Sequence, residues 1–170
     1  MVSFIHLTSE SRISNIRRNG ISRLSKTHPP VGKGIFAMPV TANFYVSHQW
    51  LRELRRGNNG KICAVYFRIA DEEIVYLGHY GKHHQAMTAA QAVAFVMNQQ
   101  AEGFEVIIPR KITAKEIRRI KHVPQITGWR YSPSSHGKKP CGCSFCQRGN
   151  YGAKKVRAAY EAEYEKVPKK

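Results

Sequence analysis

The chain has 170 residues, enough for one domain with a buried core and a short appendage. Its 28 Lys and Arg residues outnumber its 11 Asp and Glu residues, which gives a formal net charge of +17. No stretch approaches the roughly 20 apolar residues of a membrane span, and the N-terminal residues lack a signal-peptide pattern, so we expect a cytoplasmic protein. The basic charge runs through the whole chain and favours nucleic acid, more than an anionic membrane, as the partner or substrate.

The first part of the chain predicts short strands that alternate with single helices. Phe4 to Leu7 predicts a strand, after which Thr8 or Ser9 caps a helix that ends at Gly20. The following stretches predict a loop at 26–34, a strand at 35–38, a strand at 43–46, a helix from Ser47 to about residue 56, and a central strand at 62–69.

The second part continues this alternation. A strand at 73–77 leads to a loop at 78–84 with three histidines. We expect no metal site there, because adjacent histidines rarely point at one ion and no acidic partner is near, and contacts to phosphate or to a base are an alternative. Capping boxes begin at Thr88 and Thr113 and predict helices to about residues 100 and 121, with a strand at 104–108 between them. A last strand at 125–130 and a helix at 153–166 follow.

This order of elements predicts an α+β fold. We expect one domain over residues 1–130 and a Cys-rich, basic extension with a terminal helix over residues 131–170.

Two strands carry polar residues where apolar ones are expected. Glu105 lies at the head of the apolar strand 104–108, although Glu is depleted in strands and a buried unpaired carboxylate is costly. His6 and Thr8 share one face of the first strand, between apolar neighbours. Each position has a structural explanation, an exposed or paired carboxylate for Glu105 and a hydrogen-bonded core histidine for His6. The alternative is that both strands line one cleft.

The cysteine cluster predicts a structural zinc site. Cys141, Cys143 and Cys146 form a Cys-x-Cys-x-x-Cys pattern, and His136 is the nearest candidate for the fourth ligand. The alternative is three unpaired thiols in a loop. The basic residues around the cluster, among them Lys138, Lys139 and Arg148, are candidate contacts to nucleic acid.

Three motifs in this order resemble the ADP-ribosyltransferase fold. They are Phe4-Ile5-His6-Leu7-Thr8-Ser9 followed by a helix and Asn19-Gly20-Ile21, then Asn43-Phe44-Tyr45-Val46-Ser47, then Phe104-Glu105-Val106-Ile107-Ile108-Pro109. The resemblance covers about residues 3–120 and is nearest to the DarT-type enzymes, toxins that ADP-ribosylate bases in DNA. It implies a split β-sheet core with flanking helices.

The resemblance also implies an activity and a set of roles. The substrate is NAD, and Glu105 stabilises the oxocarbenium-like transition state. His6, Thr8, Tyr45 and Ser47 bind NAD, Tyr45 by stacking on nicotinamide, and Arg17 is one of several candidates for the NAD phosphates. An antitoxin or immunity protein is a further possible partner. The basic residues Arg52, Arg55, Arg56 and Arg110 are candidate contacts to the acceptor backbone.

Two alternative functions stay open at this stage. The same fold serves RNA 2′-phosphotransferases, which use NAD and do not need the late glutamate, so Glu105 discriminates against them. A basic nucleic-acid-binding module with a zinc knuckle and no catalysis explains the charge and the cysteines. It leaves the polar strand faces at His6 and Glu105 unexplained.

Overall fold

The structure is a computed structural model that describes residues 1–27, 29–42, 44–56, 60–99, 101 and 103–123. In these ranges the chain forms an α+β fold, as the sequence predicts, built on an open antiparallel sheet. The strands are β1 (Val2–Ser9), β2 (Ser25–Lys26), β3 (Lys33–Pro39), β4 (Ile62–Ile69), β5 (Ile74–His79), β6 (Gln85–Thr88), β7 (Phe104–Ile108) and β8 (Ile117–His122). The helices are α1 (Ile13–Asn19), α2 (Phe44–Ser47), α3 (Leu51–Arg56) and α4 (Ala89–Asn98), with 3-10 turns at Glu10–Arg12 and Ala114–Glu116.

The sheet opens between β1 and β3. Its order is β6-β5-β7-β3-β1-β4-β8, and β2 pairs with β3. β1 pairs with β4 along its length, from Val2 opposite Ile69 to Ser9 opposite Ile62. In contrast, the register between β1 and β3 covers only Phe4 and Ile5 of β1, while β3 pairs with β7 through Ile35, Phe36 and Ala37. The later half of β1 therefore diverges from β3, and the gap between them positions the site.

Alternating side chains place apolar clusters on the two faces of the sheet. Phe4 packs with Val65 and Phe67 in the larger cluster, to which α1 and α4 contribute Ile16 and Ala92. Residues adjacent to these in the strands belong to the other cluster, which contains Ile5, Ala64 and, from α3, Leu51. Because neighbouring residues of a strand point to opposite faces, both faces of the centre of the sheet are covered. In the described ranges no helix is both long and apolar enough to cross a membrane.

Several elements follow the sequence prediction closely. β4 has the predicted bounds and is central, with β1 on one side and β8 on the other. The capping box at Thr88 is formed by reciprocal hydrogen bonds with Gln91 and begins α4. Gly20 ends α1 with φ of +73°, a conformation that glycine adopts without steric cost. Strand β7, which carries Glu105, is also present as predicted.

Two local predictions are wrong, and one strand was not predicted. Phe44–Ser47 is a helical turn and not a strand, so Tyr45 lies on a helix by its backbone. The Thr113 capping box is present, but only a 3-10 turn follows it, and Ile117–His122 then form β8. Pairing of β8 with β4 outweighs the local helical preference, because it satisfies the edge of the central strand. Strand β6 had no counterpart in the prediction.

Candidate active site

A cavity of about 570 Å³ lies where β1 and β3 separate. Polar groups reach it from distant parts of the sequence, namely His6 and Thr8 on β1, Arg12, Ser25, Ser47 and Glu105 on β7. The apolar lining includes Ile5, Leu7, Met38 and Trp50. The cavity therefore brings together the two polar strands that the sequence analysis selected, in a mostly apolar pocket with a few convergent polar groups.

His6 joins the two sides of the gap. Its Nδ1 lies 2.8 Å from the carbonyl oxygen of Phe36 on β3. A carbonyl can only accept, so Nδ1 carries the hydrogen and Nε2 of the neutral ring keeps a lone pair. Burial, with a smaller contribution from the charge of Arg12, lowers the pKa of His6 and keeps the ring neutral. The ring thus presents a hydrogen-bond acceptor in a site where a ligand hydroxyl could donate.

Glu105 is the acidic group of the cavity. Its side chain is 12% exposed, and burial raises its pKa from 4.5 to about 7. Its Oε1 lies 3.2 Å from Nε2 of His84, whose side chain is 8% exposed. The expectation that the histidine loop has no acidic partner is therefore wrong, because the sheet brings β7 beside the end of β5. A carboxylate with a pKa near neutrality in a pocket is a candidate for acid–base or electrostatic catalysis.

A buried amide fixes the start of β7. Gln49, which is fully buried, accepts a hydrogen bond from the Gly103 amide at 2.6 Å and donates to the Phe104 carbonyl at 2.7 Å. These bonds tie the connection between α2 and α3 to the two residues that precede Glu105. Gln49 thus holds the backbone of the candidate catalytic residue without lining the cavity.

The other predicted NAD contacts divide into two groups. Thr8 and Ser47 are buried and line the cavity. Arg17 is exposed on α1 and is not among the cavity residues, where Arg12 is the arginine instead. The side chain of Tyr45 lies outside the described part of the structure, where the aromatic residues that line the cavity are Phe36 and Trp50.

Arg110, a predicted nucleic-acid contact, is engaged within the protein. Its guanidinium binds the carboxylates of Glu73 and Glu116, each with a shortest distance of 2.6 Å, and also the Lys111 carbonyl. These hydrogen bonds, to Glu116 first and then to Glu73, raise the pKa of Arg110. The geometry favours a structural role that joins β5 to the Thr113 turn.

Other predicted site residues lie outside the described part of the chain. This holds for the side chains of Arg52 and Arg56, whereas Arg55 is described on α3. The proposed zinc ligands Cys141, Cys143, Cys146 and His136, and the basic residues Lys138, Lys139 and Arg148, also lie outside the described residues. Within the described ranges, no group of three or more His, Cys, Asp or Glu side chains could hold a metal ion.

The sequence analysis missed Arg12, Trp50, His84 and Gln49. One signal for His84 was present, since Gly78 falls at the end of an apolar strand and a glycine there indicates close approach of another segment. Nothing in the local pattern marked Gln49, because its partners are remote in sequence. Nothing in the local pattern marked Arg12 either, which is one of many basic residues in the chain.

Comparisons of the chain with protein-family models, with curated proteins and with solved structures find no match. Inference about function therefore starts from the site and from the motifs that carry the resemblance.

Proposed function

We propose that the protein is an NAD-dependent mono-ADP-ribosyltransferase that modifies a nucleic acid. The observation that carries the proposal is the convergence of His6, Thr8 and Glu105 on one cavity. In the ADP-ribosyltransferase fold that the motifs resemble, the corresponding strands form the walls of the NAD cleft. A volume of about 570 Å³ lies within the range of about 300–1,000 Å³ that is usual for small-molecule sites.

Glu105 has the chemistry that this reaction needs. The bond between nicotinamide and the ribose C1′ breaks, its electron pair leaves with nicotinamide, and positive charge develops on the ribose. As a carboxylate, Glu105 accepts a hydrogen bond from a ribose hydroxyl and stabilises that charge. A nucleophilic atom of the acceptor then bonds to C1′ and gives up its proton to Glu105 or to solvent.

The remaining cavity groups bind and orient NAD. Nε2 of neutral His6 accepts a hydrogen bond from a ribose hydroxyl, and the hydroxyl of Thr8 lies on the same strand face. Arg12 supplies a positive charge for the diphosphate, and its position in the lining of the cavity favours it over Arg17 for this role. Trp50 offers a flat apolar surface for the nicotinamide ring, in addition to the role proposed for Tyr45.

A basic and aromatic surface beside the cavity suits a nucleic-acid acceptor. Arg119 pairs with Tyr66, and Lys121 pairs with Ala64, across β8 and β4. Tyr66 and Ala64 in turn lie opposite the cavity residues Ile5 and Leu7 of β1. Directly paired residues share a face, so Arg119 and Lys121 rise on the face that Ile5 and Leu7 occupy. The Arg119 guanidinium stacks 4.3 Å from the centre of the Tyr66 ring.

This surface predicts a specific loss of nucleic-acid binding. In the double variant Arg119→Ala with Lys121→Ala, we expect about tenfold weaker binding to single-stranded DNA and a salt dependence reduced by about two charges. The double variant Arg17→Ala with Arg18→Ala, on α1 against the other face, removes the same charge and is the matched control, which should bind nearly as the wild type does. Fluorescence anisotropy across a salt series measures both quantities, and equal losses in the control would indicate binding by net charge alone.

Substitutions of His6 should separate its effect on NAD binding from its effect on stability. His6→Asn places an amide N–H near the position of Nδ1, so it keeps the bond to Phe36 but lacks the acceptor at Nε2. We expect the melting temperature to change little and the KM for NAD to rise about tenfold, the cost of one hydrogen bond. His6→Ala should lower both stability and affinity. Thermal unfolding and steady-state kinetics test the pair, and unchanged NAD affinity in both variants would remove His6 from the site.

Labelled NAD tests the function directly. The protein is incubated with NAD carrying a label on the adenylate and with DNA, RNA or protein, and the label on each acceptor is measured. Transfer to a nucleic acid with release of nicotinamide supports the proposal. Loss of a 2′-phosphate from RNA in the presence of NAD would instead indicate a phosphotransferase. Salt-sensitive DNA or RNA binding with no NAD consumption would indicate a binding module.

A further inference from the structure

The missing side chain at Gly78 on β5 allows His84 to contact Glu105. Gly78 on β5 lies directly opposite Glu105 on β7. A Cβ atom on Gly78 would lie 2.7 Å from Cγ of His84 and 2.8 Å from the His83 carbonyl oxygen. Both distances are shorter than packed atoms allow, so the imidazole fills the space that a side chain at position 78 would take. The absence of that side chain lets His84 reach Glu105.

The hydrogen bonds of His84 determine where its proton lies. Nδ1 is 3.0 Å from the carbonyl oxygen of Lys82, which can only accept, so Nδ1 carries a hydrogen. In the neutral ring Nε2 then has a lone pair, and it lies 3.2 Å from Oε1 of Glu105. A lone pair against an ionised carboxylate is repulsive in a site where the two side chains are 8% and 12% exposed. One proton therefore lies between these two atoms, on either group.

The other titratable and charged groups around the pair belong to five segments of the chain. His6 and Arg12 line the same cavity from β1 and from the 3-10 turn after it. His48 lies in the α2–α3 connection and is buried. Desolvation lowers its pKa to about 4, so the ring is neutral. The loop after β5 carries the exposed Lys82 and His83, and β5 ends at His79, whose Nδ1 faces the Tyr80 carbonyl. Among the described groups in this region, the carboxylate that contacts His84 is thus that of Glu105.

We propose that His84 is a positioning residue that shares one proton with Glu105 and takes it as an imidazolium, so that Glu105 is a carboxylate when the ribose develops positive charge. The proposal rests on the proposed function for its catalytic meaning. The pairing itself is independent of any substrate. Glu105 lines the cavity, and its Oε1 contacts His84. His84 can therefore hold the proton that Glu105 gives up when it ionises.

Nuclear magnetic resonance of the histidine side chains tests the pairing without NAD. The ¹⁵N shifts of His84 are followed from pH 4 to pH 9 in the full chain and in Glu105→Gln. In the wild type we expect Nδ1 to stay protonated and Nε2 to hold a proton at higher pH than in Glu105→Gln, by about one pH unit or more. The same titration of His84 in both proteins would overturn the shared proton.

The pH dependence of NAD consumption tests the positioning role. His84→Asn keeps a donor for the Lys82 carbonyl and lacks Nε2, so Glu105 must ionise without a partner. We expect its activity to be about tenfold lower at pH 7 and to recover at higher pH, because the acid limb moves up by about one unit. His83→Asn, at the exposed neighbouring position, should keep the wild-type profile.

The outcomes separate the two proposals. An unchanged pH profile in His84→Asn, with active wild-type protein, would overturn the positioning role. A coupled His84 titration in a protein that consumes no NAD would keep the shared proton and refute the proposed function, and with it the catalytic part of this inference. If His84→Asn does not fold, His84→Gln, whose amide can reach toward Glu105 but cannot take up a proton, provides the second variant and should shift the profile in the same direction.

Discussion

Glu105→Gln is expected to reduce ADP-ribose transfer by about 10²- to 10⁴-fold while the protein stays folded. The amide has the size of the carboxyl group and can still accept a hydrogen bond, but it cannot balance the positive charge of an oxocarbenium-like ribose. It also cannot accept the proton of the nucleophile. The loss should fall on kcat, with the KM for NAD changed little, because the lost interaction is strongest in the transition state.

Stability separates this effect from damage to the fold. The pKa of Glu105 is raised from 4.5 to about 7 by burial, so the folded state holds a proton that the unfolded chain has already lost in this window. Wild-type stability from this group is therefore complete below pH 4.5 and decreases as the pH rises to about 7. Glu105→Gln lacks that decrease, and at pH 8 it should unfold at a denaturant concentration equal to or higher than the wild type requires.

A matched variant completes the experiment. Glu72→Gln removes an exposed carboxylate just before β5 and should leave the activity unchanged. Nicotinamide release and label transfer are measured for the three proteins at pH 8, where Glu105 is ionised in the wild type. Transfer by Glu105→Gln at the wild-type rate would exclude Glu105 from catalysis and would remove the main support for the proposed function.

The parts of the fold that sequence could predict are those fixed by local pattern. The almost continuous apolar run at 62–69 predicted β4 with its bounds, since a strand covered on both faces needs no polar alternation. The Thr88 box gave the start of α4, since both of its hydrogen bonds lie within four residues. Glu105 and His6 were predicted as site residues because burying a polar side chain without a partner on an apolar strand costs free energy.

The parts that could not be predicted depend on where the sheet brings distant segments. β8 carries Ile117 and Ile120 at a helical spacing, yet it pairs with β4, because that edge of the central strand needs a partner. The contact between His84 and Glu105 exists only because β5 and β7 pair with Gly78 opposite Glu105. The sequence showed no acidic partner near the histidines, because Glu105 follows them only after β6 and α4. Sheet register therefore determines the chemistry of the site, and local sequence does not report it.

Gln49→Ala should be the most destabilising of the substitutions considered. It leaves the Gly103 amide and the Phe104 carbonyl without their buried partner, and each such loss costs about 1–3 kcal/mol, so we expect about 2–6 kcal/mol in total. Gln49→Met fills a similar volume without the hydrogen bonds and separates their contribution from that of packing. Gln99→Ala, at an exposed position after α4, is the control and should cost less than about 0.5 kcal/mol.

The consequence for the site follows from the two residues that Gln49 holds. Gly103 and Phe104 set the direction in which β7 leaves the preceding turn, and Glu105 is the next residue. If Gln49→Met folds, we expect kcat to decrease more than NAD affinity does. The reason is that a shift of about 1 Å in a catalytic group costs on the order of 10²-fold in rate. Urea unfolding gives the stability and steady-state kinetics give the activity. If Gln49→Met loses stability but keeps wild-type kcat, the start of β7 does not depend on Gln49 for its position, and Glu105 must be oriented by His84 and the strand pairing alone.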